Sequence, residues 1–103
     1  MRLIEHHIGE IKRLCAKHGV LELYVFGSVL NDSFNAKSDI DLVVRFGQVQ
    51  LEEYFNNYMD LKEGLEALFQ RKVDLIEDKA VSNPIFRRVL DREMKMVYDR
   101  EAA

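Results

Sequence analysis

An Asp-x-Asp pair inside an apolar run constrains this chain more than any other feature. Residues 39–46 read Asp-Ile-Asp-Leu-Val-Val-Arg-Phe. Such a run is a strand pattern, in which side chains at i and i+2 share a face. Asp39, Asp41 and Val43 then point one way, and Ile40, Leu42 and Val44 the other. Two adjacent carboxylates repel, and a fold tolerates them mainly when a cation sits between them. Hard oxygen donors of this kind suit magnesium or manganese. Ten residues separate Asp39 from Gly27-Ser28, which closes an earlier apolar run, Leu-Glu-Leu-Tyr-Val-Phe at 21–26.

The length of 103 residues is that of one domain, spanning 1–103, and an apolar content of 48% suffices for a single core. A net charge of -3 gives no global basic field, so direct nucleic-acid binding is not expected. The single cysteine, Cys15, cannot form an internal disulfide and fits a reducing cytosol. It falls on the apolar face of a predicted helix, which makes it buried filler rather than a nucleophile. No apolar stretch approaches the roughly 20 residues that span a bilayer. The N-terminus lacks the basic-then-apolar plan of a signal peptide. The expectation is a cytoplasmic protein with no membrane partner.

Periodicity predicts seven elements. Residues 2–18 form a helix with Ile4, Ile8, Ile11 and Leu14/Cys15 on one stripe, stopped at Gly19. Residues 21–26 are a strand, 28–31 start a short helix and 32–38 are a polar loop. After the strand at 39–46, residues 49–69 form the longest helix. Its stripe is Leu51, Tyr54/Phe55, Tyr58, Leu61, Leu65 and Leu68/Phe69, and Gly64 interrupts it. These aromatics read as core or as a helix-facing partner surface, not as a base-stacking platform. Residues 72–77 are a third strand, and Ser82-Asn83-Pro84 opens a last helix that runs to about Glu93. Met94–Tyr98 form a short final strand. The order gives an α/β (α+β) domain, a small mixed β-sheet with helices packed against it. His6 and His7 are adjacent on a helix and face different directions. With His18 they read as surface or boundary residues. Arg87, Arg88 and Arg92 give the last helix a basic side, which reads as a solvated face diluted by Asp91 and Glu93.

Asp74 joins Asp39 and Asp41 as a third carboxylate in a strand-like segment. If its strand pairs beside 39–46, all three can reach one metal cluster. Two metals clamp the attacking and leaving oxygens of an in-line phosphoryl displacement. Gly27 lets backbone approach a phosphate, and N–H groups at a helix start favour an anion. The Ser28 hydroxyl can donate to a phosphate oxygen. Anion cradle and metal carboxylates together describe a nucleoside triphosphate site.

Phe26-Gly27-Ser28, ten residues, then Ser38-Asp39-Ile40-Asp41-Leu42 resembles the Gly-Ser-x10-Asp-x-Asp signature of the DNA polymerase β-like nucleotidyltransferase superfamily. The chain is similar to its minimal (MNT) branch over most of its length, including the Arg71-Lys72-Val73-Asp74-Leu75 segment. The resemblance implies a polymerase β palm-like fold, with Gly27 and Ser28 holding the triphosphate. It implies two Mg2+ (or Mn2+) ions on Asp39, Asp41 and Asp74. Asp74 is the candidate third carboxylate and the candidate base for the acceptor hydroxyl. The usual continuation after Gly-Ser is Arg-Ala-Arg-Gly; here it is Val29-Leu30-Asn31-Asp32. Arg45, Lys37 and Arg71 are the nearest cations in sequence.

Three functions fit these readings. The first is an enzyme that transfers a nucleoside monophosphate, AMP from ATP, to a hydroxyl acceptor. Stand-alone domains resembling this one are often paired with a small helical HEPN protein in prokaryotic toxin–antitoxin systems. The resemblance therefore implies a HEPN-domain partner, neutralised by covalent addition of AMP to a tyrosine or by direct contact. The second is a binding module that neutralises such a partner without turnover. The third is a metal- or nucleotide-sensing domain without turnover. The acceptor and the nucleobase are not legible, and a homo-oligomer is left open.

Overall fold

The computed structural model describes residues 2–30, 34, 35 and 37–102. Asn31, Asp32 and part of the loop predicted at 32–38 lie outside the described residues. The elements are α1 (Arg2–His6), α2 (Ile8–Lys17), β1 (Val20–Phe26), a 3-10 turn (Gly27–Leu30) and β2 (Ile40–Phe46). They continue with α3 (Leu51–Phe69), β3 (Val73–Glu77), α4 (Pro84–Glu93) and β4 (Lys95–Asp99). Short 3-10 turns occupy Asp78–Ala80 and Arg100–Ala102. The sheet order is β3-β2-β1-β4. β1 is antiparallel to both β2 and β4, whereas β2 and β3 are parallel. The result is the mixed four-strand α/β architecture expected from the pattern.

Alternation on β2 sorts the two faces as its sequence predicts. Ile40, Leu42 and Val44 join the main cluster with Val25, Leu23, Val73 and Leu75 from the other strands. Ile4, Ile11 and Cys15 from α1 and α2 and Leu61, Leu65 and Phe69 from α3 cover that face. Val43 and Leu90 are fully buried too, yet neither belongs to this cluster. They lie on the other face, where α4 packs and Phe86 meets Phe26 edge-on at 6.1 Å.

Several local signals hold. Asn83 caps α4, its side-chain oxygen accepting from the N–H groups of Ile85 (2.9 Å) and Phe86 (3.0 Å), with Pro84 in the first turn. Gly64 is explained by a neighbour in space. A Cβ there would lie 3.0 Å from Leu14 Cδ2, so the glycine lets α2 and α3 approach closely.

Other expectations are corrected. The helix predicted over 2–18 is two, because His7 leaves helical dihedrals (φ -107°, ψ 14°). Its ring packs edge-on against Phe69 at 5.6 Å, drawing the chain onto α3. His18 is no surface residue. It is 8% exposed, and its Nδ1 lies 2.8 Å from the Leu14 carbonyl oxygen. Leu51 and Phe55 fit the helical stripe but are 87% and 70% exposed; in those turns it is Tyr54 that reaches the sheet, against Phe46 and Glu77. Arg87 is not simply solvated: it bridges Asp78 and Asp91, each at 2.9 Å.

The free thiol of Cys15 is fully enclosed, and burial pushes it up to about 12. Cys15 will therefore resist a disulfide-exchange reagent at pH 8 in the native protein and react fully once urea unfolds the chain. Fast labelling without denaturant would contradict this packing.

Candidate functional site

The site residues gather where β1 ends and β2 and β3 begin. Register does the gathering. Phe26 of β1 stands opposite Asp41 of β2, and Asp41 stands opposite Asp74 of β3. Directly opposite residues project from the same face of a sheet. Asp41 and Asp74 therefore flank each other on the face away from the α1–α3 cluster. Asp39 lies one residue before β2 and is exposed, as is Asp74, while Asp41 is half-buried.

This arrangement carries electrostatic stress. Burial raises the Asp41 carboxyl above its ordinary value, and the like charges of Asp74 and then Asp39 raise it further. Among the described residues, no three His, Cys, Asp or Glu side chains converge into a group that would hold a metal alone. Mg2+ does not require one: it keeps several waters and is bound through one or two carboxylates together with substrate phosphates. Two facing carboxylates of hard oxygen, repelling each other beside an open turn, fit a cation of that class.

Gly27 completes the geometry. Its φ is +79°, and a Cβ there would stand 2.6 Å from Asp41 Oδ2. A side chain at 27 would thus meet both a left-handed backbone and the carboxylate itself. Ser28 follows in the same 3-10 turn and is half-buried. Gly27, Ser28, Asp41 and Asp74 are thus brought to one end of the sheet, with Asp39 at its margin.

Arg71 was read only as a nearby cation, and its structural place was missed. Its Nη1 donates to the carbonyls of Asn35 (3.0 Å) and Ser38 (2.9 Å), and its guanidinium lies 4.7 Å from the centroid of the Phe34 ring. It thereby ties the segment that leads into Asp39 to the start of β3. Its place beside Lys72 before a strand was the only sequence signal available. Arg45 is no substitute cation, because it pairs with Glu22 further along β2.

Comparison with known proteins agrees with this geometry. Residues 9–103 match the family described as Polymerase beta, Nucleotidyltransferase. The chain belongs to this family. It is 30% identical to a chain of Methanocaldococcus jannaschii named "Putative protein adenylyltransferase", over 84% of this chain and 94% of the relative. It is 33% identical to the protein adenylyltransferase MntA of Thermococcus cleftensis, over 77% of each. Among solved structures, one described as a minimal nucleotidyltransferase superposes with a TM-score of 0.73 at 30% identity, covering 88% of this chain and 89% of that one. A toxin–antitoxin structure with AMP-PNP shares the fold, with a TM-score of 0.69 at 18% identity over 92% of this chain and 75% of that one.

Two predictions follow from the carboxylate pair and the turn. A folded pKa raised above the unfolded one means that ionised Asp41 opposes folding at neutral pH. That opposition vanishes once pH falls below the ordinary value of 3.8, where both states are protonated. Asp41→Asn should therefore melt above the wild type at pH 7 in metal-free buffer, with the difference closing as pH drops through the carboxylate range. Calorimetry across pH tests this, and a lower melting point for the variant at pH 7 would contradict it. Gly27→Ala should lower stability by about 1–3 kcal/mol in urea unfolding. Gly9→Ala, where nothing lies within 4 Å, should be neutral or stabilising.

Proposed function

We propose that residues 1–103 act as one minimal nucleotidyltransferase domain that moves AMP from ATP onto a hydroxyl group of a protein, using two Mg2+ (or Mn2+) ions. The observation that carries this reading is the register pair Asp41–Asp74 closed by a Gly27 at which any side chain would be strained. On it, Asp41 and Asp74, with Asp39 from the margin, would hold the metal together with the phosphates, and Gly27 and Ser28 would hold the triphosphate. The N–H groups of the 3-10 turn and the Ser28 hydroxyl orient the phosphate chain beside Asp41. Asp74, exposed on the outer strand, takes the proton from the acceptor hydroxyl. The acceptor oxygen bonds to the α-phosphorus as the bond from that phosphorus to the β-phosphate oxygen breaks. Pyrophosphate leaves with the electron pair. When bound, the ions supply charge to the oxygens that become more negative in this displacement.

The acceptor is most simply a protein that brings its own surface, because the described residues include no second lobe for it. The names of the relatives support protein adenylylation. The toxin–antitoxin complexes of like fold support a role as an antitoxin, and the family resemblance implies a HEPN-type toxin as its partner. No described helix is long and apolar enough to cross a membrane. We place the reaction in the cytoplasm, in keeping with the free Cys15.

The test is transfer of labelled AMP from Mg-ATP to the co-purified partner. Wild type should label it, and Asp41→Asn should lose at least about 1,000-fold in rate while remaining folded. Unchanged transfer by the variant would sink the metal assignment. Full neutralisation of the toxin by Asp41→Asn would instead favour the binding module.

A further inference from the structure

A cavity of about 440 Å3 opens beside the carboxylate row, between the Gly27–Leu30 turn and α4. Phe26, Phe86, Val89 and Leu90 give it apolar walls, and Arg92, Glu93 and Lys95 add charge. Gly27 belongs to both places, since it lines the cavity and a Cβ on it would lie 2.6 Å from Asp41 Oδ2. Phe26, Asp41 and Asp74 stand opposite one another in turn across three strands. The cavity wall is therefore one end of a row whose middle is Asp41 and whose far end is Asp74.

We propose that this cavity receives the nucleoside end of the triphosphate, with Phe86 and Val89 shaping the seat of the base. The inference rests on the nucleotidyltransferase reading above. Order along the row chooses the occupant. The triphosphate is anchored on the Gly27–Ser28 turn, and the cavity opens on that turn's side. The proposed base, Asp74, is at the opposite end, which leaves that end for the acceptor. Size and chemistry agree. Small-molecule sites measure roughly 300–1,000 Å3 and combine apolar walls with a few polar groups. Phe26 and Phe86, whose rings meet edge-on at 6.1 Å, offer aromatic surface to a base. Arg92 lies 3.7 Å from its neighbour Glu93, beyond hydrogen-bond length, so its donors can turn to a ribose or phosphate oxygen. It brings a cation to the side of the turn where Val29 and Leu30 bring none.

Calorimetric titration of Mg-ATP and Mg-tripolyphosphate into wild type, Val89→Arg and Phe86→Ala separates base from phosphate. Val89→Arg fills the cavity, and Phe86→Ala removes a wall residue that is itself partly exposed and so tolerable to the fold. The expected result is a loss of roughly tenfold or more in ATP affinity for both variants. Tripolyphosphate affinity should stay within about twofold of wild type. Unchanged ATP affinity in both variants would overturn the inference. So would equal losses for ATP and tripolyphosphate in both folded variants, since the cavity would then serve the phosphates. Failure of wild type to bind either ligand with Mg2+ would instead overturn the nucleotidyltransferase reading itself, which distinguishes the two failures.

Discussion

The parallel pairing of β2 with β3 is the constraint on which the rest depends, because it holds two like charges opposite each other. The same register places Ile40 opposite Val73 and Leu42 opposite Leu75 on the other face, and all four are buried. A slip of β3 by one residue would carry Val73 and Leu75 out of the core and Asp74 into it. Burial of one such aliphatic side chain contributes about 1.5–3 kcal/mol. The apolar face thus fixes a register that the acidic face, left to itself, would oppose. Core packing on one side of the strand outweighs the repulsion within the carboxylate row on the other.

The outer strand β3 needs its own restraint, since an edge strand exposes a row of unpaired backbone groups. Side chains of α3 supply it. Glu66 accepts from the Val73 N–H at 3.0 Å, the Tyr58 hydroxyl donates to the Leu75 carbonyl, and the Tyr54 hydroxyl donates to Glu77. These contacts bracket Asp74 and seal the backbone edge around it while leaving its side chain in solvent. Arg71, in the connection between α3 and β3, extends the same restraint to the segment before Asp39. Two of the three carboxylates therefore owe their placement to one helix and the short connection that follows it.

Much of this was legible in the sequence because the decisive signals are local. The period-2 pattern of β2 and the 3.6-residue stripe of α3 each describe one element and its buried face. The Asn83-Pro84 start of α4 and the Gly27-Ser28 stop of β1 do the same. Asp41 and Gly27 were found for that reason, and Asp74 because it interrupts an apolar strand. The misses are contacts between distant elements. Nothing near His18 in sequence announces its burial, where Asn57 of α3 donates to its carbonyl at 2.7 Å. Nothing local tells Arg71 from Arg45, although the first clamps a loop and the second pairs with Glu22. Leu51 and Phe55 share the stripe's period with Tyr54, yet only Tyr54 meets the sheet, and periodicity alone cannot choose between neighbours at the stripe's edge.

The distribution of cations sharpens the electrostatics of the proposed site. A triphosphate brought to Asp39, Asp41 and Asp74 would set anion against anion. The family signature that this chain resembles carries arginines directly after Gly-Ser, which would offset this, but here Val29 and Leu30 follow. Arg45 is four residues beyond Asp41, roughly 13 Å along the strand, and already paired. Arg71 is held by two carbonyls and an aromatic ring. Near the turn stand the divalent cation that the carboxylates would hold, the guanidinium of Arg92 at the end of α4 and the ammonium of Lys95 at the start of β4, with Glu93 between the two in sequence. A site built this way depends on its metal for binding as well as for chemistry. Metal and nucleotide would then favour each other's binding strongly, because each neutralises what the other and the protein cannot.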